Sequence, residues 1–144
     1  MEMQKLFRGR LIDHVQIVTA DLATSRRFYE AVLDVLGVSI DFEDVGMFGA
    51  DELVVSSADS EGAQGRVTGR IHLAFQARDR VMVDAVYAAG LAAGGADNGA
   101  LGLRPYHPGY YAAFLLDPDG NNIEAVFHGP ADRSSESIEI VFES

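Results

Sequence analysis

The sequence predicts an α+β fold made of two copies of one unit, in which a strand leads into a helix and the helix leads into further strands. Two observations predict it. Residues 11–37 recur as residues 69–95 with a constant offset of 58, which carries His14 onto His72 and Asp21 onto Asp79. Both copies are then followed by runs with strand-like composition. An internal repeat of this kind sets the architecture before any single element is assigned.

The first copy opens with residues 11–19, which are rich in apolar and β-branched side chains and are predicted to form a strand. Asp21 is predicted to cap a helix, and Gly37 is predicted to end it in a left-handed conformation. The apolar face of this helix consists of Leu22, Phe28, Val32, Leu33 and Leu36. The sequence therefore predicts an amphipathic helix that packs on its own strand.

The second copy repeats this order, with a strand at residues 71–77, a helix capped by Asp79 and an end at Gly94-Gly95. The apolar face predicted for the second helix consists of Val81, Met82, Ala85, Val86 and Ala89.

Strands are also predicted after each helix. In the first half they are residues 38–44 and 51–57, with a turn at Gly46, and in the second half residues 110–116 and 122–128, joined by Asp119-Gly120, with a third near 100–104. The whole chain, residues 1–144, is predicted to be one domain, with module 1 at about 10–58, a linker at about 59–68, module 2 at about 69–128 and an extension at 129–144. Alternation of Ile138, Ile140 and Phe142 fits either an extra edge strand or a frayed terminus.

Three ionisable side chains are predicted to share one face of the sheet. Because side chains alternate along a strand, His14, His72 and Glu124 each point away from the face that the helices cover. Two imidazoles and one carboxylate form a facial set of ligands that leaves positions on a divalent metal open. These ligands suit several ions, so Zn, Ni, Mn and Fe all stay open as the cofactor.

Composition limits the other function classes. The chain has no Cys, which excludes a disulfide, a thiolate metal site and a cysteine nucleophile. Its formal net charge of −11 repels nucleic acids and anionic membranes, so neither is expected as a partner. No apolar run is long enough to span a bilayer, and no secretory signal precedes the repeat, so a cytoplasmic location is expected.

The motifs together resemble the vicinal oxygen chelate superfamily, which contains glyoxalase I, extradiol dioxygenases and bleomycin resistance proteins. The resemblance covers roughly residues 10–128 and is carried by segments 12–15, 27–29, 72–75 and 117–124. It implies two paired βαβββ modules whose sheets form a curved cup, a homodimer, and a metal held by His14, His72 and Glu124. The Asp-Pro-Asp-Gly turn that leads to Glu124 is the most specific of these motifs.

The resemblance does not decide whether the metal has a fourth protein ligand. Glyoxalase-like members use a fourth ligand from the last strand of the first module, and Glu52 is the candidate here. An exposed turn carboxylate is an equal interpretation of Glu52. Without it, the three remaining ligands are closer to the dioxygenase pattern.

The loop at residues 104–111 concentrates further candidates. His107 is a candidate general acid or base, Tyr110 or Tyr111 could hydrogen-bond a substrate oxygen, and Arg104 could hold an anion. The alternative is a rigid loop with surface tyrosines. Two other polar residues on the same face, Arg70 and His128, are expected to lie at strand ends, outside direct contact with a metal.

These observations support two functional hypotheses. The first is a metal-dependent enzyme acting on a small molecule, either a glyoxalase-like lyase or isomerase or a ring-cleaving dioxygenase, in which Glu124 could also move a proton. The second is a protein of the bleomycin resistance type, which sequesters a ligand without turnover.

Overall fold

The computed structural model describes residues 3–130, 132–135 and 137–143. Residues 1, 2, 131, 136 and 144, which the predicted domain and its extension include, lie outside the described residues. The strands are β1 (Met3–Arg8), β2 (Val15–Thr19), β3 (Phe42–Asp44), β4 (Met47–Ala50), β5 (Leu53–Ser57), β6 (His72–Gln76), β7 (Ala96–Asp97), β8 (Gly102–Leu103), β9 (Tyr111–Leu116), β10 (Asn122–Phe127) and β11 (Ile138–Glu143). The helices are α1 (Leu22–Val35) and α2 (Arg80–Ala92), and a 3-10 turn spans Glu61–Ala63.

The two modules have the same sheet topology. In module 1 the strand order is β2-β5-β4-β3, and in module 2 it is β6-β10-β9-β7, with β8 also paired to β9. The strand before each helix runs parallel to the last strand of its module, and the other pairs are antiparallel. This shared topology confirms the predicted α+β fold of two βαβββ modules. Neither sheet closes on itself.

Both predicted helix caps are confirmed. Asp21 accepts a hydrogen bond from the Thr24 amide at 3.0 Å, and Asp79 accepts one from the Met82 amide at 2.8 Å. Gly37 has a φ of 78° just after α1 and ends that helix as predicted. Local sequence signals therefore fixed where the helices begin.

The buried face of α2 differs from the predicted one. Val81 is 75% exposed, and the fully buried positions are Val83, Val86 and Gly90. A Cβ atom added at Gly90 would lie 2.3 Å from Leu115 Cδ1 and 3.3 Å from Phe28. The buried face of α2 is determined by the close approach of α1 and β9 to Gly90. The prediction considered only the spacing of apolar side chains along the helix and so left this glycine out.

Several strand limits also differ from the prediction. The first strand begins at Val15 and not at residue 11, because residues 11–14 pair with no strand among the described residues. Strands β4 and β7 were not predicted, since each is too short to show alternation. The tail does form a strand, β11, and its partner is β1 of the same chain, which was also not predicted.

Module 1 and module 2 are joined by a network of polar side chains. Tyr29, on α1, donates its hydroxyl hydrogen to Asp117 at 2.5 Å, and burial raises the pKa of this phenol well above its usual range. Thr19 donates to Asp119, also at 2.5 Å, and the Ala20 amide donates to the same carboxylate at 3.1 Å. The motif that leads to Glu124 therefore ties its strand to the other module.

The two faces of the module 2 sheet carry different side chains. Leu115, Ile123 and Ala125 pack into the main core with the helices. Phe114 and Val126 form a second, smaller cluster on the opposite face, which we call the concave face. No helix in the described part of the chain is long and apolar enough to cross a membrane.

Candidate functional site

A buried carboxylate lies on the concave face of module 2. Glu124 is only 2% exposed, although it sits between the core-facing residues Ile123 and Ala125. Its strand runs parallel to β6, and the register pairs Glu124 with Ala74. His72, two residues before Ala74, points to the same face because side chains alternate along a strand. His72 Nε2 lies 2.8 Å from Glu124 Oε1, so the structure brings these two predicted ligands together.

Tyr110 completes the surroundings of this carboxylate. Its hydroxyl donates a hydrogen bond to Glu124 Oε2, so both oxygens of the buried group have a partner. Burial and the neighbouring carboxylate raise the pKa of Tyr110 to about 12. The phenol therefore stays protonated and continues to donate at neutral pH. A carboxylate this deeply buried would be costly without such partners.

His107 lies one layer farther out. Its Nε2 is 2.9 Å from His128 Nδ1, and its Nδ1 is 2.9 Å from the Pro108 carbonyl oxygen. Both imidazoles contact the ring of Tyr110, with centroids 5.3 and 5.4 Å away. The role of His107 as an acid or base stays a prediction, because Tyr110 lies between it and Glu124 as a neighbour of both.

Arg104 and Tyr111, the other candidates of this loop, lie on opposite faces of the sheet. The Arg104 guanidinium stacks over Phe114 at 5.0 Å, on the concave face. Tyr111 instead donates to Asp84 of α2 at 2.6 Å and lies under Arg80, on the helix side. Of the two adjacent tyrosines, only Tyr110 reaches the carboxylate.

His14 is not brought to this pair within one chain. It precedes β2, its side chain is 61% exposed, and its Nδ1 lies 2.8 Å from Asp13 Oδ1. His14 and Arg8, which lies 3.1 Å from the same oxygen, lower the pKa of Asp13. Among the described residues, no group of three or more His, Asp or Glu side chains is arranged to hold a metal ion. The three-ligand site therefore stays a prediction.

Glu52 lies in the turn before β5 and lines a different cavity, of about 410 Å³. Burial, with a contribution from Asp51, raises its pKa. The repeat gives Glu52 no support as a counterpart of Glu124. Ala74, which pairs with Glu124, is equivalent to Gln16 by the offset (74 − 16 = 58), and Gln16 pairs with Val54. Val54 therefore occupies the position equivalent to Glu124.

Phe114 also lies on this face, and the sequence analysis did not indicate it. Its ring is tilted against that of His72, with 6.1 Å between centroids. Alternation along β9 would have found it, because Phe114 points away from the face of Ala113 and Leu115, toward the side where Tyr110, just before the strand, also packs. The site thus has an aromatic wall beside its polar groups.

Comparisons with a family model and with solved structures point to the same family. A family model described as the glyoxalase/bleomycin resistance protein/dioxygenase superfamily matches residues 11–125. A solved structure of a glyoxalase/bleomycin resistance protein from Albidiferax ferrireducens is 30% identical, with a TM-score of 0.70, and the match covers 81% of this chain and 98% of that one. No curated protein matches the chain.

Two further solved structures are similar in fold. A glyoxalase/bleomycin resistance protein/dioxygenase family enzyme from Burkholderia phytofirmans is 24% identical, with a TM-score of 0.64 over 79% of this chain and 95% of that one. A glyoxalase-related enzyme from Fulvimarina pelagi is 23% identical, with a TM-score of 0.66 over 82% and 88%. At these identities the likeness concerns the fold alone.

Proposed function

Because the chain belongs to the glyoxalase/bleomycin resistance protein/dioxygenase superfamily, we propose that it is a metal-dependent enzyme of the glyoxalase or dioxygenase type that acts on a small molecule. One observation carries the proposal: the buried carboxylate of Glu124, held between His72 and Tyr110 on the concave face. Carboxylates are rarely buried this fully unless they are paired or bind a metal. A carboxylate and an imidazole are two donors that suit Zn, Ni, Mn or Fe.

His72 and Glu124 supply two ligands, and a catalytic metal needs a third protein ligand. His14, the repeat equivalent of His72, would supply it from a second copy of the chain. The sheets end at β2 and β6, whose outer edges pair with no other strand in the described part of the chain. Leu11 and Ile12, just before β2, are 89% and 47% exposed. Open strand edges beside exposed apolar residues favour association with another chain.

In this homodimer each concave face would receive the partner's His14, and each dimer would have two sites. When bound, the ion would act as a Lewis acid on neighbouring oxygens of the substrate. The chain's own residues have separate tasks. Glu124 can accept a proton from the substrate, and Tyr110 orients the carboxylate by donating to its other oxygen.

Subunit mixing tests the shared site. His14→Ala and His72→Ala homodimers should each lose tight binding of Zn or Ni in calorimetric titration. In a mixed dimer of the two variants, one site lacks both histidines and the other has both. Mixing should therefore restore binding to one site per mixed dimer.

The control is His107→Ala, which removes an imidazole near the site but outside the proposed ligand set. It should leave metal affinity unchanged. A wild-type protein that takes up none of Zn, Ni, Mn or Fe would overturn the metal-dependent function. Mixing that restores no binding, although the wild type binds metal, would overturn the shared site alone.

A second candidate function is sequestration of a ligand without turnover. The aromatic wall favours it, since Tyr106 and Tyr110 pack edge to face with centroids 4.9 Å apart, and Tyr110 packs against the cluster that contains Phe114. Such a wall suits a planar ligand. Tight binding of an aromatic compound by metal-free protein, with recovery of the compound unchanged, would favour this function over the enzyme.

A further inference from the structure

His14 lies away from the buried carboxylate of its own chain, yet its imidazole has a definite partner. Its Nδ1 lies 2.8 Å from Asp13 Oδ1, although both side chains are more than half exposed. An ionised carboxylate can only accept a hydrogen bond, so Nδ1 must carry the hydrogen in this contact. In the neutral ring the other nitrogen, Nε2, then has no hydrogen. A neutral imidazole with one such nitrogen is the form that binds a metal ion.

Asp13 is itself held by a more buried side chain. Arg8 Nε lies 3.1 Å from the same carboxylate oxygen, and the Arg8 side chain is only 15% exposed. The Nη1 group of Arg8 donates to the Asp51 carbonyl oxygen at 2.9 Å. The backbone amide of Val15 donates to the Glu52 carbonyl oxygen at 2.7 Å. The segment from Arg8 to Val15 is therefore attached at both ends to the turn between β4 and β5.

Stability of the fold does not account for the contact between Asp13 and His14. Hydrogen bonds and ion pairs between exposed side chains contribute little to folding, because water competes for both partners. The repeat offers no counterpart, since Asp13 corresponds to Ile71 by the offset (71 − 13 = 58). His72 is held through its other ring nitrogen, Nε2, which lies 2.8 Å from Glu124. The two equivalent imidazoles are thus oriented through different atoms, and only His14 is held through Nδ1.

We propose that Asp13 is a positioning residue, which keeps the ring hydrogen of His14 on Nδ1 and so presents an unprotonated Nε2 toward a second copy of the chain. The inference rests on the proposed function for what Nε2 binds, which is the metal ion in the partner's site. Metal-binding histidines commonly donate their other ring N–H to a carboxylate, which fixes the ring and makes the ligand more basic. Asp13 has this task for His14, and Arg8 keeps the carboxylate in place.

The position of the ring hydrogen can be measured without any metal. Nitrogen-15 chemical shifts of labelled histidine distinguish a hydrogen on Nδ1 from one on Nε2, and the spectrum of His14→Ala assigns the signals. In metal-free wild type at about pH 9, where an ordinary imidazole is neutral, the His14 hydrogen should be on Nδ1. Asp13→Ala should move it to Nε2, which an imidazole without a partner prefers. Asp13→Asn should keep it on Nδ1, because the amide oxygen can still accept.

Calorimetric titration with Zn tests the consequence for metal binding. Asp13→Ala should weaken Zn binding about tenfold or more, as expected when the carboxylate behind a metal-binding histidine is removed. Asp13→Asn should recover part of that loss, since it keeps the hydrogen bond and loses only the charge. The matched control is Asp34→Ala, which removes an exposed carboxylate on α1. It should change the affinity for Zn very little.

A His14 hydrogen on Nε2 in the wild type, or the same hydrogen position in wild type and Asp13→Ala, would overturn this inference. Equal losses of Zn affinity in Asp13→Ala and Asp34→Ala would also overturn it, because the effect would then be one of net charge. The proposed function has a separate outcome. A wild type that keeps the hydrogen on Nδ1 through Asp13, but takes up none of Zn, Ni, Mn or Fe, would keep the role of Asp13 toward His14 and remove the metal-dependent enzyme.

Discussion

The two modules share a topology but differ in what they place on it. The position that carries Glu124 in module 2 carries Val54 in module 1. The connection between the last two strands is two residues long in module 1 and five in module 2, where it contains Asp117 and Asp119. At the helix contact, the repeat sets Val32 of α1 against its counterpart Gly90 of α2 (90 − 32 = 58). The arrangement of strands and helices is repeated, whereas the buried carboxylate and its partners His72 and Tyr110 lie in module 2.

Duplication therefore accounts for the shared scaffold, and a few side-chain differences between the modules account for the candidate site. A βαβββ unit needs only apolar alternation, a helix cap and turns, and both modules have them. A buried carboxylate needs more, because its desolvation must be offset by specific donors. Module 2 provides His72 and Tyr110 for that purpose. Module 1 has an aliphatic side chain at that position and needs no such partners.

The largest effect is expected at the contact between the two helices, where one substitution removes the difference between the modules. Gly90→Val gives α2 the side chain that α1 carries at this position. Because a Cβ atom there would already lie 2.3 Å from Leu115, we expect a loss of about 3 kcal/mol in the free energy of unfolding. Urea denaturation measures it. Ala88→Val, on the exposed side of the same helix, should cost well under half as much. Equal losses in the two variants would contradict the packing account.

The next effect concerns the longer turn of module 2 and its tie to module 1. Tyr29→Phe removes the hydroxyl that donates to Asp117 and should cost about 2 kcal/mol at neutral pH. The folded state raises the pKa of Tyr29, so its contribution is complete below the ordinary value near 10 and is lost as the pH rises through the higher folded value. The difference between wild type and variant should therefore be constant from about pH 6 to 9 and shrink above about pH 10.

Tyr106→Phe is the control for this titration, because Tyr106 is 66% exposed. Its free energy of unfolding should differ little from that of the wild type across the same pH range. A Tyr29→Phe difference that stays constant to pH 11, or grows there, would show that the tie does not depend on the protonated phenol.

The smallest effect is expected from a substitution that makes module 1 resemble module 2. Val54→Glu places a carboxylate at the position equivalent to Glu124. If module 1 of the partner faces the same metal, Zn or Ni should bind about tenfold tighter, which is about 1.4 kcal/mol. Val54→Gln introduces a side chain that is similar in shape to glutamate but uncharged, and it should increase the affinity for the metal very little. Calorimetric titration that shows the same change in both variants would mean that charge at this position does not reach the metal.

The sequence predicted the parts of the structure that depend on neighbours along the chain. The repeat, the caps at Asp21 and Asp79 and the shared face of His72 and Glu124 follow from periodicity and local hydrogen bonding. The sequence did not predict the features that depend on contacts between distant segments of the chain. The buried face of α2 follows from Gly90 meeting α1, and the pairing of β1 with β11 joins opposite ends of the described chain.

The candidate site divides in the same way. Alternation along β6 and β10 was enough to put His72 beside Glu124, and the adjacent loop identified Tyr110. Alternation could not place His14, because the position of that residue depends on which strand lies against the open edge of β2. It also could not reveal which ring nitrogen of His14 contacts Asp13, since hydrogen-bond geometry is a property of the packed structure.

The pairing of β1 with β11 has a consequence for the order of the chain. Met3 lies opposite Glu143, so the two ends of the described chain run side by side. A short bridge between them would leave every strand pair in place, and the chain could instead open in the segment between β5 and β6, where Gly65 has a φ of 76° in an exposed turn. Module 2 would then come first in a circular permutant. The order in which the two modules are synthesised is thus separable from the structure that they form.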